Sequence, residues 1–437
     1  MPRVDDVSIR TRDEDATPSR GHTPSPQTPH HTYSPPPTGA DHAAAPLALL
    51  ILVSMIQPTA MNMYVPAMAD MRQTLGTSAS AIQATLSAFL AATAIGQLII
   101  GPFSDLFGRR PVLVIGLGVF VAGSIICALA PTVEILVAGR IIQAVGGCTG
   151  LALSRAIIRD IHGAKTSASM IGYVTMGMAV APMLTPALGG VIHEASSWRW
   201  IFVFMGAFGA VALVATIVRL GETHTRTAGG GRVFSRWFRE MGAVLSFRAY
   251  WTFVSTLAFL CVSYFAFIAG GTFVAVEVFE LSASTYGAYF ILIVSGYVLG
   301  NFVTGRFGPK IGIIAMIRLG NAVSLASVLV AVGLWEYGCE HPLGLFIPMF
   351  FVGLGNGFAL PNAVAGAVSV CPWLAGTASG LAGAFQVGSG AVASVIVGII
   401  IDANLWPDST WPVLAPMLFG AVAALITSAF LDQKAIR

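Results

Sequence analysis

GPFSDLFGRRP, residues 101–111, lies between two long apolar runs and gathers one acid and two arginines in a chain that is otherwise almost charge-free. Charge is costly inside hydrocarbon, so this stretch must sit at a water boundary between two membrane-length segments. The surrounding composition agrees. Of 437 residues, 55% are hydrophobic and 10% charged, against about 25% charged in soluble domains. Mean hydropathy is +0.78. A soluble globule of this length needs far more polar surface, so lipid is the main solvent and the expected fold is all-α and membrane-integral.

A helix crossing about 30 Å of hydrocarbon needs about 20 apolar residues. Twelve runs qualify: 46–66, 80–101, 112–130, 134–153, 168–192, 200–220, 250–270, 286–305, 311–333, 343–363, 377–401 and 411–431. An even number puts both termini on one side. Alternate connections carry the basic residues: Arg109 and Arg110; Arg155, Arg159 and Lys165; Arg219, Arg226, Arg232, Arg236, Arg239 and Arg248; Arg306 and Lys310. The opposite connections hold Arg72 and Arg199 and collect Glu277, Glu280, Glu336, Glu340, Asp402 and Asp408. The positive-inside rule makes the basic side, with both termini, cytoplasmic.

The longest internal connection, 221–249, is polar and divides the chain into a six-span bundle at 46–220 and another at 250–431. An offset of 200 residues relates Gly96 to Gly296, Phe107 to Phe307, Gly108 to Gly308 and Arg110 to Lys310. Residues 1–45, with PSPQTPHHTYSPPP, cannot bury enough apolar surface to fold and read as a disordered cytoplasmic tail, and 432–437 read as a short second tail. No signal peptide is expected, because the first long apolar run begins near Leu47.

The five cysteines, Cys127, Cys148, Cys261, Cys339 and Cys371, are scattered without metal-type spacing and read as packing residues. No metal or cofactor is expected. A net charge of +3 gives no reason to expect nucleic acid. No H-E-x-x-H, paired intramembrane acids or serine–histidine arrangement supports an enzyme.

GPFSDLFGRRP closely resembles the signature loop between the second and third helices of the major facilitator superfamily, over Gly101, Asp105, Gly108, Arg109 and Arg110. Gly101 would permit close helix approach, and Asp105 would receive charge-assisted bonds from an arginine or a helix N-terminus. The resemblance implies a latch joining the two halves on the cytoplasmic side. LVAGRIIQAVGG resembles the family's R-x-x-Q-G motif at Arg140 and Gln143, with Ala144 in place of the glycine, and Glu134 lies six residues earlier. Arg140 and Gln143 are i, i+3 and share a helix face. An arginine there must pair or hydrate, so it should face a central cavity; the resemblance gives it a coupling role.

GMAVAPMLTPALGGVI, residues 177–192, resembles the antiporter signature of superfamily exporters. Pro186, Gly189 and Gly190 fit it, Ala181 and Thr185 replace glycines, and Pro182 is added. Prolines that kink and glycines that pack closely suit a pivot. MYVPAMADM (63–71), FVGLGNGFALPNAVAGAV (351–368) and AGTASGLAGAFQVGSGA (375–391) look like the Bcr/CflA drug-resistance subfamily of twelve-span drug:proton antiporters. The resemblance implies two parallel six-helix repeats around a midplane site, a small-molecule substrate, protons as coupling ion, a bacterial inner-membrane location and a monomer.

One departure bears on mechanism. Where that subfamily usually has an aspartate before the M-Y pair, this chain has Asn62. An amide cannot bind and release a proton, and Asp70, Asp105, Glu134 and Glu277 all fall near span ends. Three readings stay open: coupling through Glu134 with Arg140, coupling through another peripheral acid, or uncoupled facilitation as a metabolite permease. The candidate cavity residues are Gln57, Asn62, Tyr64, Arg140 and Gln143 in the first half, and Tyr264, Phe267, Asn301, Asn356, Asn362, Phe385 and Gln386 in the second. They suggest an amphipathic cavity with one positive charge, suited to a neutral or weakly anionic, partly aromatic substrate.

Overall fold

A computed structural model describes residues 47–223 and 230–431. The tails read at 1–45 and 432–437, and the middle of the 221–249 connection, lie outside the described residues. Among the described residues there is no strand. The helices are α1 (Leu47–Asn62), α2 (Met68–Thr74), α3 (Ala79–Phe107), α4 (Arg109–Leu129), α5 (Val133–Ala195), α6 (Trp198–Arg219), α7 (Gly230–Leu245), α8 (Arg248–Phe273), α9 (Ala283–Ile311), α10 (Ile313–Glu336), α11 (Leu343–Ser369), α12 (Ala375–Asp402) and α13 (Trp411–Ala429). Eleven segments among the described residues are long and apolar enough to cross a membrane.

The expected fourth and fifth spans share α5, which is helical from Val133 to Ala195. It cannot be straight. Arg140 donates to the Ala60 carbonyl at 2.9 Å, and a Cβ on Gly189 would stand 1.7 Å from the Met63 carbonyl oxygen. Straight helix between Arg140 and Gly189 would cover about 73 Å, yet both positions meet the same end of α1. The chain therefore doubles back inside α5, and its return limb is the segment read as the fifth span.

Single glycines make the tight α3–α4 and α9–α10 turns: Gly108 at φ +95° and Gly312 at φ +92°, each ending one helix and beginning the next. That backbone strains any residue with a Cβ. The 200-residue offset paired Gly108 with Gly308, but Gly308 lies inside α9 and Gly312 takes the turn. Repeats drift in register where loop lengths differ, so the structural match is four residues away from the sequence match.

The 221–249 connection is also more ordered than its polarity suggested, since it holds α7. Val244 is buried, whereas Phe238 and Arg239 on α7 are exposed. Glu240 binds Arg236 at 2.7 Å and accepts from Thr377 at the start of α12 at 3.1 Å. The two largest seams between the halves are α3 along α12 and α5 on α9.

Candidate functional site

Arg140 lies wholly inside the first half, with no exposed surface. Its Nη1 donates to the Ala60 carbonyl at 2.9 Å and to Gln143 Oε1. The guanidinium lies 4.0 Å from the Phe89 ring centroid, 4.2 Å from that of Tyr64 and 5.9 Å from that of Phe202. Gln143 passes the network on, donating from Nε2 to Ser124 Oγ at 2.8 Å. The i, i+3 pairing read from sequence is present, and Arg140 reaches inward rather than to the membrane surface.

Among the described residues no carboxylate forms an ion pair with Arg140. Glu134 is exposed on the first turn of α5 and engages Thr132. The structure therefore does not bring Glu134 to Arg140: one stands in solvent at the helix start, and the other is enclosed by rings. Asn62 is fully buried; its Nδ2 donates to the Pro58 carbonyl at 2.8 Å, and its Oδ1 has no partner among the described residues. Gln57 Oε1, Arg140 Nε and Arg140 Nη2 are likewise buried without partners. Buried polar atoms left open in this way are costly, and here they are both acceptors and cationic donors. Tyr64 pairs its hydroxyl with Thr85 Oγ1 at 3.3 Å.

The second-half candidates divide. Tyr264 on α8 faces Tyr297 of α9, Tyr297 stands beside Asn301, and Gln386 of α12 is within hydrogen-bonding reach of Cys261 on α8. Asn301 Nδ2 also donates to the Tyr297 carbonyl at 2.8 Å. Phe385 sits edge-on to Trp251 at 5.3 Å. Asn356 is buried with an unpartnered Oδ1, and Asn362 donates to the Phe358 carbonyl at 2.8 Å. Phe267 is enclosed by Phe290 at 6.3 Å and Phe346 at 5.9 Å. A groove of about 590 Å³ between α10 and α11 is apolar, is lined by the exposed Val330, Ile347 and Phe351, and shares no residue with either cluster.

The signature loop forms a charge cluster at the basic end. Arg109 Nη1 binds Asp105 at 2.7 Å and Ser104 Oγ, and its Nε binds Asp160 of α5 at 3.1 Å. The Glu222 carboxylate accepts from the Arg109 and Arg110 backbone N–H groups at 2.9 and 3.3 Å, capping α4, while Arg110 Nη2 reaches the Ile217 carbonyl at 3.0 Å. Ser104, Asp105, Asp160 and Ile217 belong to the first half, and Glu222 stands at the start of the 221–249 connection. The contacts brace α3, α4, α5 and the end of α6 against one another. Gly101 differs from expectation, because a Cβ there would meet nothing within 4 Å.

The glycines of the antiporter-like stretch do allow close approach. Gly189 faces Met63 of the first half, and a Cβ on its neighbour Gly190 would stand 2.6 Å from the Ala283 carbonyl oxygen of the second. The Pro186 carbonyl lies against Gly287 of α9 in the same seam. Ala181 and Thr185 are buried, Pro182 is partly buried, and the helix runs through both prolines.

Comparison with known proteins bears on the family and the fold. The sequence profile described as the Major Facilitator Superfamily matches residues 50–394. An uncharacterized MFS-type transporter, YdgK, of Bacillus subtilis is 32% identical over 367 residues, covering 83% of this chain and 90% of its own length. The bicyclomycin resistance protein homolog of Haemophilus influenzae is 26% identical over 396 residues, with 88% and 96% covered. Among solved structures, a D-xylose-proton symporter superposes with a TM-score of 0.68 at 16% identity, covering 90% of this chain and 98% of its own. At that identity the likeness carries the fold alone.

Proposed function

The chain belongs to the major facilitator superfamily, and on that premise we propose that it exports small amphipathic compounds by alternating access in exchange for protons. It is a multi-pass transporter of the inner membrane and not an enzyme. The export direction rests on the drug-resistance relatives, of which the bicyclomycin resistance homolog aligns over nearly its whole length. In this reading the bundles at 46–220 and 250–431 rock as two bodies, the basic end and both termini are cytoplasmic, and the unit is a monomer.

The observation that carries the substrate class is the Arg140 cage. A guanidinium against the Phe89 and Tyr64 rings, with no carboxylate bridged to it among the described residues, sets a positive potential in the half that also holds the orphaned amide oxygens of Gln57 and Asn62. In a low-dielectric site that favours neutral or weakly anionic aromatic compounds over cations.

The separation of Glu134 from Arg140, with Asn62 in place of an acid, favours a second reading, an uncoupled facilitator or metabolite permease. Reconstitution under an imposed pH gradient separates the two, with neutral, anionic and cationic compounds as the panel. Uphill movement that follows the gradient supports exchange, while equilibration alone supports the facilitator. Equal movement of a cationic dye and a neutral drug would sink the substrate class.

A further inference from the structure

Two contacts built the same way cross between the halves at the acidic end. Glu194, one residue before the end of α5, reaches α9, where its Oε1 accepts from the Ser284 backbone N–H at 2.8 Å. Asp402, the last residue of α12, reaches α3; its Oδ1 and Oδ2 accept from the Ala79 and Ser80 backbone N–H groups at 2.7 and 2.9 Å. Both target turns read Ser-Ala-Ser, at 78–80 and 282–284, and in both the first serine caps its helix.

A glycine stands one turn before each acid. A Cβ on Gly190 would stand 2.6 Å from the Ala283 carbonyl oxygen, and one on Gly398 would stand 3.0 Å from Ser80 Cα. Each glycine seats its helix tightly on the other half, and the acid one turn later meets the unbonded N–H groups of that neighbour's first turn. One contact runs from the first half to the second, and the other runs back.

We propose that Glu194 and Asp402 are the positioning residues of the outer gate: ionised, each holds the first turn of a helix in the opposite half, and their protonation from the outer solution releases the gate toward an outward-open arrangement. This rests on the transporter reading above. Both carboxylates are exposed and in reach of solvent protons. The Ser284 backbone N–H, helped by the Ser284 and Ser282 hydroxyls, holds the Glu194 carboxyl below its ordinary range. A carboxyl depressed in the closed arrangement favours that arrangement above its ordinary pKa, and the preference fades as pH falls through the depressed value. Acid outside therefore favours opening.

The neighbouring charges are few. His193 adjoins Glu194 and faces Asp70 at 3.8 Å. Asp402 meets the serines of its target turn. Arg72 and Glu277 also bridge the halves, at 2.7 Å. Glu277 is controlled by substitution.

Spin labels at Gln73→Cys and Leu405→Cys, in a Cys339→Ser background, report the span across the outer end by pulsed dipolar spectroscopy in liposomes. Acidification from about pH 7.5 to about pH 4, through the carboxylate range, should enlarge the long-distance population. At neutral pH, Glu194→Gln and Asp402→Asn should each raise that population roughly two- to five-fold. The double variant should lose most of the acid response, and Glu277→Gln should keep it. A pH-invariant distance in the otherwise unsubstituted gate, or a double variant that opens with acid as fully as its parent, overturns the proposal. The first outcome needs no gate variant, so a misfolded one leaves the test decisive. The distances are read without any transported compound, so this result stands or falls apart from the export assay.

Discussion

The Arg140 guanidinium rests 4.0 Å from the ring centroid of Phe89, on a different helix, and Tyr64 lies at 4.2 Å. A desolvated cation–ring contact contributes about 2 kcal/mol. Phe89→Leu should therefore cut transport on the order of ten-fold while leaving membrane insertion intact. Arg140→Lys should do worse, because a compact ammonium lacks the planar face that the guanidinium sets against the Phe89 and Tyr64 rings. Initial rates in vesicles with matched protein levels check both; a Phe89→Leu variant at full rate would remove the ring from the mechanism.

Asn62→Asp places an ionisable group one residue from Met63 and two from Tyr64, a ligand ring of the Arg140 cage. The substitution should strengthen the dependence of transport on a pH gradient or admit cationic compounds. Uptake of a cationic dye and proton movement, followed together, decide it. If neither changes, the cavity does not include Asn62.

The Glu222 carboxylate caps two N–H groups of α4. Glu222→Gln keeps the shape and loses the charge, and should lower stability by about 1 kcal/mol. Asp105→Asn should cost less, since Arg109 keeps Asp160. Thermal unfolding in detergent ranks the pair; the reverse order would make Asp105 the brace.

The glycines give a paired contrast. Gly189→Ala forces a methyl group to 1.7 Å from the Met63 carbonyl oxygen, whereas Gly101→Ala meets open space. The first should abolish folded protein or transport, and the second should leave both near normal. Folded yield by size-exclusion chromatography, followed by a transport assay, checks the contrast.

Much of the fold was legible because apolar run length reports the thickness of hydrocarbon. What hydropathy does not report is helix continuity in water. That is why α5 appeared as two spans and why α7 appeared as a plain connection. Arg140 and Gln143 were legible because a charge and an amide at i, i+3 stand out in an apolar run. Phe89 and Phe202 were not, since an aromatic residue facing a buried cation has the same composition as one facing lipid. Glu194 and Asp402 share a different obscurity: each acid lies at a helix end, where acids are ordinary, and only the partner's position distinguishes a brace from a solvated charge. Gly101 was misread for the converse reason, because a motif glycine does not state what it faces.

Gly189 and Gly190 set main chain against main chain on two sides of α5. Such a seat has no side-chain rotamers to restrict when it forms, whereas ordering a leucine costs about 0.5–1 kcal/mol. A joint of this kind can part and re-form without waiting for side chains to regain particular rotamers.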